Sequence, residues 1–142
     1  MTRFVSRLLF AFLFVTTLSG PAAAQGASDD LSAIQDTIAG QIAAFRAGDS
    51  GRAYSFAAPT IKRIFPSPGV FMQMVKKGYE PVFRPRSYAF IEQQVIGADD
   101  AMQFVDVVGP DGAAWIAVYS LRRQPDGTWK ITGCQLKPGV GA

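Results

Sequence analysis

The stretch Ala113–Leu136, AAWIAVYSLRRQPDGTWKITGCQL, constrains this chain more than any other. Two runs rich in aromatic and β-branched residues flank Pro125-Asp126-Gly127, a tight-turn sequence, and together predict a β-hairpin. Trp115, Ile116, Val118 and Tyr119 stand in the first arm, and Trp129, Ile131 and Thr132 in the second. A lone hairpin is marginal in water. The rest of the chain must therefore supply more strands and a cover for the apolar face.

More strands lie just upstream. Ser87–Ile96 alternates loosely, Gly97-Ala98-Asp99-Asp100 is a turn, Met102–Val108 is a second strand, and Gly109-Pro110-Asp111-Gly112 turns again. With the hairpin this makes an antiparallel meander of four strands, and Val82-Phe83 is a candidate for a short fifth. Tyr79–Arg86 carries two prolines and reads as an extended edge or loop.

The cover comes from the first half of the chain. After a short polar lead at residues 25–29, Leu31, Ile34, Ile38, Ile42 and Phe45 recur at spacings of three and four, one face of a helix. Gly48 stops that helix and Asp49 caps a short second one carrying Ala53, Tyr54, Phe56 and Ala57. Pro59 suits the first turn of a piece over Thr60–Phe65, and Ser67-Pro68 opens a helix that turns Val70, Phe71, Met74 and Val75 inward and ends at Gly78. Helices first and a meander after is an α+β order. A sheet curled round a helix leaves a cavity at its open end, the place for a small ligand.

The N-terminal segment is read apart from the fold. Arg3 and Arg7 precede the apolar run Leu8–Val15, and Pro21-Ala22-Ala23-Ala24 offers small residues for signal peptidase, so cleavage is expected after Ala24. That gives 1–24 as a signal peptide and 25–142 as one exported domain, periplasmic or secreted, with no stable membrane anchor after cleavage. Removing Arg3 and Arg7 takes the formal charge from +3 to +1, which argues against a nucleic-acid partner. About 118 residues can bury a core without staples, and the single Cys134 cannot form an internal disulfide.

The joint pattern resembles a known family. The residues that carry it are Ile34–Phe45 with Asp49, Phe56-Ala57-Ala58-Pro59, Gly78-Tyr79 with Pro81, Arg84-Pro85, Gly109-Pro110-Asp111-Gly112, Tyr119-Ser120-Leu121, Asp126-Gly127-Thr128-Trp129-Lys130-Ile131 and Gly133-Cys134. They resemble domain of unknown function 4864, small exported bacterial proteins, within the nuclear transport factor 2-like (cystatin-like) α+β cone class. The resemblance implies a fold and an export route and no activity.

The chemistry is bounded first by an absence: the chain has no histidine. That removes the commonest general base and metal ligand and every Ser-His or Cys-His nucleophile pair. One cysteine with carboxylates is not a zinc pattern, and no glycine-rich phosphate loop is present, so neither a metal nor a cofactor is expected. Asp106 shares a strand face with Met102, Phe104 and Val108. If that face points inward, Asp106 is a carboxylate in an apolar pocket, and a tyrosine beside it could steady an enolate as in cone-fold isomerases. If Val105 and Val107 point inward, Asp106 stands in water or pairs with Arg122 or Arg123.

Between Lys62 and Arg86 lie six cations (Lys62, Arg63, Lys76, Lys77, Arg84, Arg86) against the one carboxylate Glu80. Such a lobe suits an anionic ligand, an acidic partner or a phospholipid surface, or is simply a solvated helix end. Arg84 and Arg86, flanking Pro85, are the pair best placed for a carboxylate or phosphate. The function expected is a non-catalytic module for a small or anionic ligand or an envelope protein. Tyr54, Phe71, Tyr88, Asp106 and Tyr119 would line the pocket, with Arg84 and Arg86 at its rim. Two alternatives stand beside it: an isomerase- or dehydratase-like enzyme using Asp106 and a tyrosine, and a homodimer burying Trp115 or Val105 on the outer sheet face.

Overall fold

A computed structural model describes residues 22–141. Five helices precede four strands: α1 (Ala22–Ala47), α2 (Ser50–Ser55), α3 (Pro59–Ile64), α4 (Pro68–Gly78), α5 (Glu80–Phe83), β1 (Ser87–Ile96), β2 (Asp100–Val108), β3 (Ala114–Arg123) and β4 (Trp129–Pro138). The strands form one antiparallel sheet in the order β1-β2-β3-β4, as the meander requires. The apolar run Leu8–Val15 lies outside the described residues. The polar lead is part of the helix: residues 24–29 lie within α1 and are exposed.

The helix breaks follow the sequence closely. Gly48, at φ 67°, ends α1 in the left-handed conformation. Asp49 Oδ1 then accepts from Arg52 N at 3.0 Å to cap α2, and Ser67 Oγ accepts from Val70 N at 3.2 Å to cap α4, with Pro68 in its first turn. Tyr79–Arg86 departs from the extended reading. Phe83 N and Arg84 N donate to Tyr79 O and Glu80 O, both at 3.0 Å, forming the single turn of α5 rather than a fifth strand. Pro81 is tolerated there because a first helical turn needs no donor from it, and Val82 and Phe83 can then both be buried.

The two Pro-Asp-Gly turns fold alike. Gly112 N donates to Gly109 O at 2.9 Å and Gly127 N to Gln124 O at 2.8 Å. Asp111 Oδ1 accepts from Ala113 N at 3.0 Å and Asp126 Oδ1 from Thr128 N at 2.9 Å. Gly112 and Gly127 take φ of 85° and 86°, which a side chain would resist.

Helix α1 lies across the inner face of the sheet and buries Ile34, Ile38 and Ile42 against Val105, Val107, Ala117, Tyr119, Leu121 and Ile131. It is held at Asp30 and near its C-terminal end. Arg123 pairs with Asp30 and stacks 4.8 Å from the Trp129 ring centroid, and Trp129 Nε1 donates to Asp30 Oδ1 at 3.3 Å. Near the C-terminal end Arg46 donates to Pro85 O at 2.9 Å. A second apolar cluster, around Phe45, Phe71, Val75 and Phe83, joins the end of α1 to α2, α4 and α5.

Two bulges set which residues face inward. The β1–β2 register shifts between Phe90 and Gln93, and the β3–β4 register between Ser120 and Leu121. Each shift reverses the alternation. Tyr88 and Phe90 point inward before the first shift and Gln93 after it. Trp129 and Ile131 point inward before the second, and Cys134 and Leu136 after it. Gln103, fully buried, sits opposite the first bulge. Its Nε2 donates to Glu92 O and Phe104 O, both at 2.9 Å, and its Oε1 accepts from Gln93 Nε2 at 3.0 Å. A polar side chain is stable here because it satisfies a carbonyl the bulge would otherwise strand.

Candidate functional site

The register aligns Gln93, Gln103, Tyr119 and Cys134 in one rank across the inner face of the sheet. At the glutamine end of the rank Gln103 has both its amide nitrogen and its amide oxygen hydrogen-bonded. The Tyr119–Cys134 end opens on a cavity of about 230 Å³ between the sheet and the helices. Ile61, Ile64 and Phe65 from α3 and its end, Phe71, Met74 and Val75 from α4, and Gln41 and Phe45 from α1 wall it, with Thr132–Cys134 along the edge strand β4. The bulge at Thr132 shapes that wall. Thr132 Oγ1 donates to Ser120 Oγ at 2.9 Å, while Cys134 turns inward.

Among the described residues the lining is mostly apolar and carries no Asp, Glu, Lys or Arg. Its polar groups are few. Gln41 is buried and donates through Nε2 to Ala53 O at 3.2 Å. Tyr119 is 1 % exposed, and among the described residues its hydroxyl has no nitrogen or oxygen partner, only the thiol of Cys134 beside it. Burial holds the Tyr119 phenol well above its ordinary range, and the neighbouring Cys134 and Tyr88 add to the effect. Burial likewise pushes the Cys134 thiol up to about 12, against the opposing pull of the Tyr119 hydroxyl. Both groups are therefore protonated and neutral at ordinary pH. Sulfur is a poor acceptor, so the phenol proton keeps its capacity for a better one.

The expected pocket residues divide. Phe71 and Tyr119 line the cavity. Tyr54 stands one layer behind, 5.6 Å from the Phe71 centroid, with its hydroxyl donated to Phe65 O. Tyr88 is half-buried between the Arg46 guanidinium, 5.6 Å from its centroid, and Phe90, close to Tyr119 but outside the lining. Asp106 does not enter the cavity. Ala101, Gln103, Val105 and Val107 form the inward side of β2, and Asp106, exposed between Ala89 and Ile116, faces out. Nor does it pair with the arginines considered for it, since Arg122 binds Asp100 at 2.8 Å and Arg123 binds Asp30. A pocket carboxylate facing a tyrosine is therefore not formed. Arg84 and Arg86 are not at the rim: Arg84 stacks 5.3 Å from the Phe83 centroid, and Arg86 Nε donates to Pro110 O at 2.9 Å. Val105 and Trp115 pack in the inner core, so they do not belong to the outer sheet face.

Gln41 and Cys134 are the site residues the sequence reading passed over. Gln41 had a signal: it lies three residues after Ile38 and seven after Ile34, a polar residue on the stripe that α1 buries. Cys134 reads as a small buried residue and gains its place only through the bulge.

A curled antiparallel sheet wrapped on one long helix, with helices closing a cavity at its edge, defines an α+β domain built round an internal pocket. Residues 27–141 match the family described as Domain of unknown function (DUF4864), and the chain belongs to that family. Comparison with curated proteins and with solved structures gave no match.

Proposed function

We propose that this protein is an exported, periplasmic or secreted, non-catalytic binding module of the nuclear transport factor 2-like cone class. Its ligand is small, uncharged and largely apolar, with one oxygen that accepts the Tyr119 hydroxyl. The observation that carries this reading is that hydroxyl, buried and without a nitrogen or oxygen partner among the described residues, on a residue that lines an apolar cavity. A stranded hydroxyl costs ~1–3 kcal/mol, a cost that a ligand oxygen removes. The absence of a charged lining residue favours a neutral ligand over an anionic one. Size fits too, since apolar cavities of about 150 Å³ admit benzene.

Acetophenone and ethylbenzene, which differ by the carbonyl, test the assignment by calorimetry. Tyr119→Phe is expected to weaken acetophenone about 5- to 10-fold and to leave ethylbenzene nearly unchanged. Equal effects on both probes, or no binding of either, would sink the reading.

Self-association is a second reading. Met102, Phe104, Ile116 and Val118 share the outer sheet face and belong to neither core cluster. Phe104→Lys is expected to halve the solution mass if a second copy covers that face, and to leave it unchanged otherwise.

A further inference from the structure

The segment from Pro59 to Gly78 carries Lys62, Arg63, Lys76 and Lys77 and no carboxylate. Among the described residues none of the four has an ion-pair partner, and Lys62 is engaged only over the Tyr54 ring, 5.0 Å from its centroid. Large apolar side chains stand exposed on the same lobe: Ile64 is 70 % exposed and Val70 50 %. Ile64 also lines the cavity, so it stands at the mouth. Met74 lines the cavity from α4, and Val70 and Lys77, four residues before and three after it, share its stripe on the helix. The mouth is thus rimmed by exposed isoleucine and valine with cations on both helices.

We propose that the α3–α4 lobe docks on an anionic phospholipid bilayer, the cations meeting headgroup phosphates and Ile64 and Val70 entering the interface. A free anion would use the charges and leave the exposed apolar pair idle. An acidic protein surface would use the charges without needing apolar tips beside them. A bilayer surface uses both, since its headgroups are charged and its acyl boundary lies just beneath. No described helix is long and apolar enough to cross a membrane, and the contact proposed is a peripheral one. Docked this way, the cavity opens toward the bilayer.

The test is co-sedimentation of the full chain with vesicles of equal parts phosphatidylglycerol and phosphatidylcholine, and with phosphatidylcholine alone. One cation near an anionic leaflet is worth ~5-fold in partition, so Lys77→Glu is expected to weaken binding at least that much. Lys137→Glu, the same change of net charge on the outer sheet face, should leave binding within about 2-fold. Ile64→Ser should weaken binding further at high salt, where screening leaves the apolar contact dominant. All three positions are exposed, and circular dichroism verifies the fold of each variant. Equal losses for Lys77→Glu and Lys137→Glu would reduce the effect to net charge and overturn the proposal. So would binding that ignores phosphatidylglycerol, or binding to polyglutamate in place of vesicles. Vesicle binding reads the rim and acetophenone binding reads the interior, so failure of one does not decide the other.

Discussion

At the residue scale the molecule turns on Tyr119. A buried phenol without a nitrogen or oxygen partner among the described residues is a cost to the fold, so removing the oxygen should stabilise it. Tyr119→Phe is expected to raise unfolding free energy by ~1–3 kcal/mol at pH 7, where a core substitution ordinarily lowers it. The gap should widen in alkali. The native phenol titrates well above 10.0, its ordinary value. Above pH ~10 the unfolded chain therefore loses the proton while the native chain keeps it, and wild-type stability falls by about 1.4 kcal/mol per pH unit on this account. The phenylalanine variant escapes that loss, and the Cys134 thiol, pushed up to about 12, stays mostly protonated in both native chains at pH 11, so its contribution is nearly the same in each. Urea unfolding at pH 7 and pH 11 reads both effects; a variant less stable at pH 7 would mean the hydroxyl is satisfied. Tyr119 and Phe71 were legible in the sequence because aromatic residues at strand and helix spacing are buried. Asp106 was not, since both faces of β2 are apolar. The buried face carries a glutamine and the outer face a phenylalanine, so composition gave no reliable choice of face.

At the scale of elements, local signals held and partner-dependent ones did not. Asp49, Ser67-Pro68 and Gly48 placed the helix ends because a cap is a bond within a few residues. The bulges that turn Gln93 and Cys134 inward depend on the facing strand and leave no mark on either strand alone. Helix α5 was hidden by its proline, which suits a first turn as well as an extended edge. The packing of α1 on α2 offers a test in which propensity and packing oppose each other. Gly40 lies inside α1, where alanine is favoured by ~1 kcal/mol. A Cβ there would stand 2.6 Å from Phe56 Cζ. Phe56 is half-buried against the inner cluster, so its ring retreats only by giving up that packing. Overpacking of this kind costs ~1–3 kcal/mol. Gly40→Ala should therefore lower the melting temperature in the wild-type background and raise it in a Phe56→Leu background. The same sign in both would show that the ring moves aside freely.

At the scale of the whole molecule, the cavity lies where two apolar clusters meet. Tyr119, Ile131 and Val82 reach it from beneath the sheet, and Phe45, Phe71 and Val75 from the helical cluster. The two sides are unequally anchored. Helix α3 buries no residue and α4 only Phe71 and Val75, while Ile34, Ile38, Ile42 and Val105 are fully buried at the junction of α1 and the sheet. Elements with few buried contacts open at lower free energy than the core. Residues 59–78 should therefore exchange backbone hydrogens through local opening, and β2 and β3 only on global unfolding. A molecule held between α4 and Tyr119 must leave, or lose half its contacts, when that lobe opens. At a concentration about 100 times its Kd, a bound probe adds about 2.7 kcal/mol to any opening that releases it, which is roughly 100-fold in exchange rate. Hydrogen-exchange mass spectrometry with saturating acetophenone should show that slowing in peptides from 59–78. The β2 peptides should slow as well only if global unfolding is their route. Slowing confined to the sheet would place the probe elsewhere, whereas slowing of the lobe together with the sheet would identify the cavity as the joint that a ligand closes.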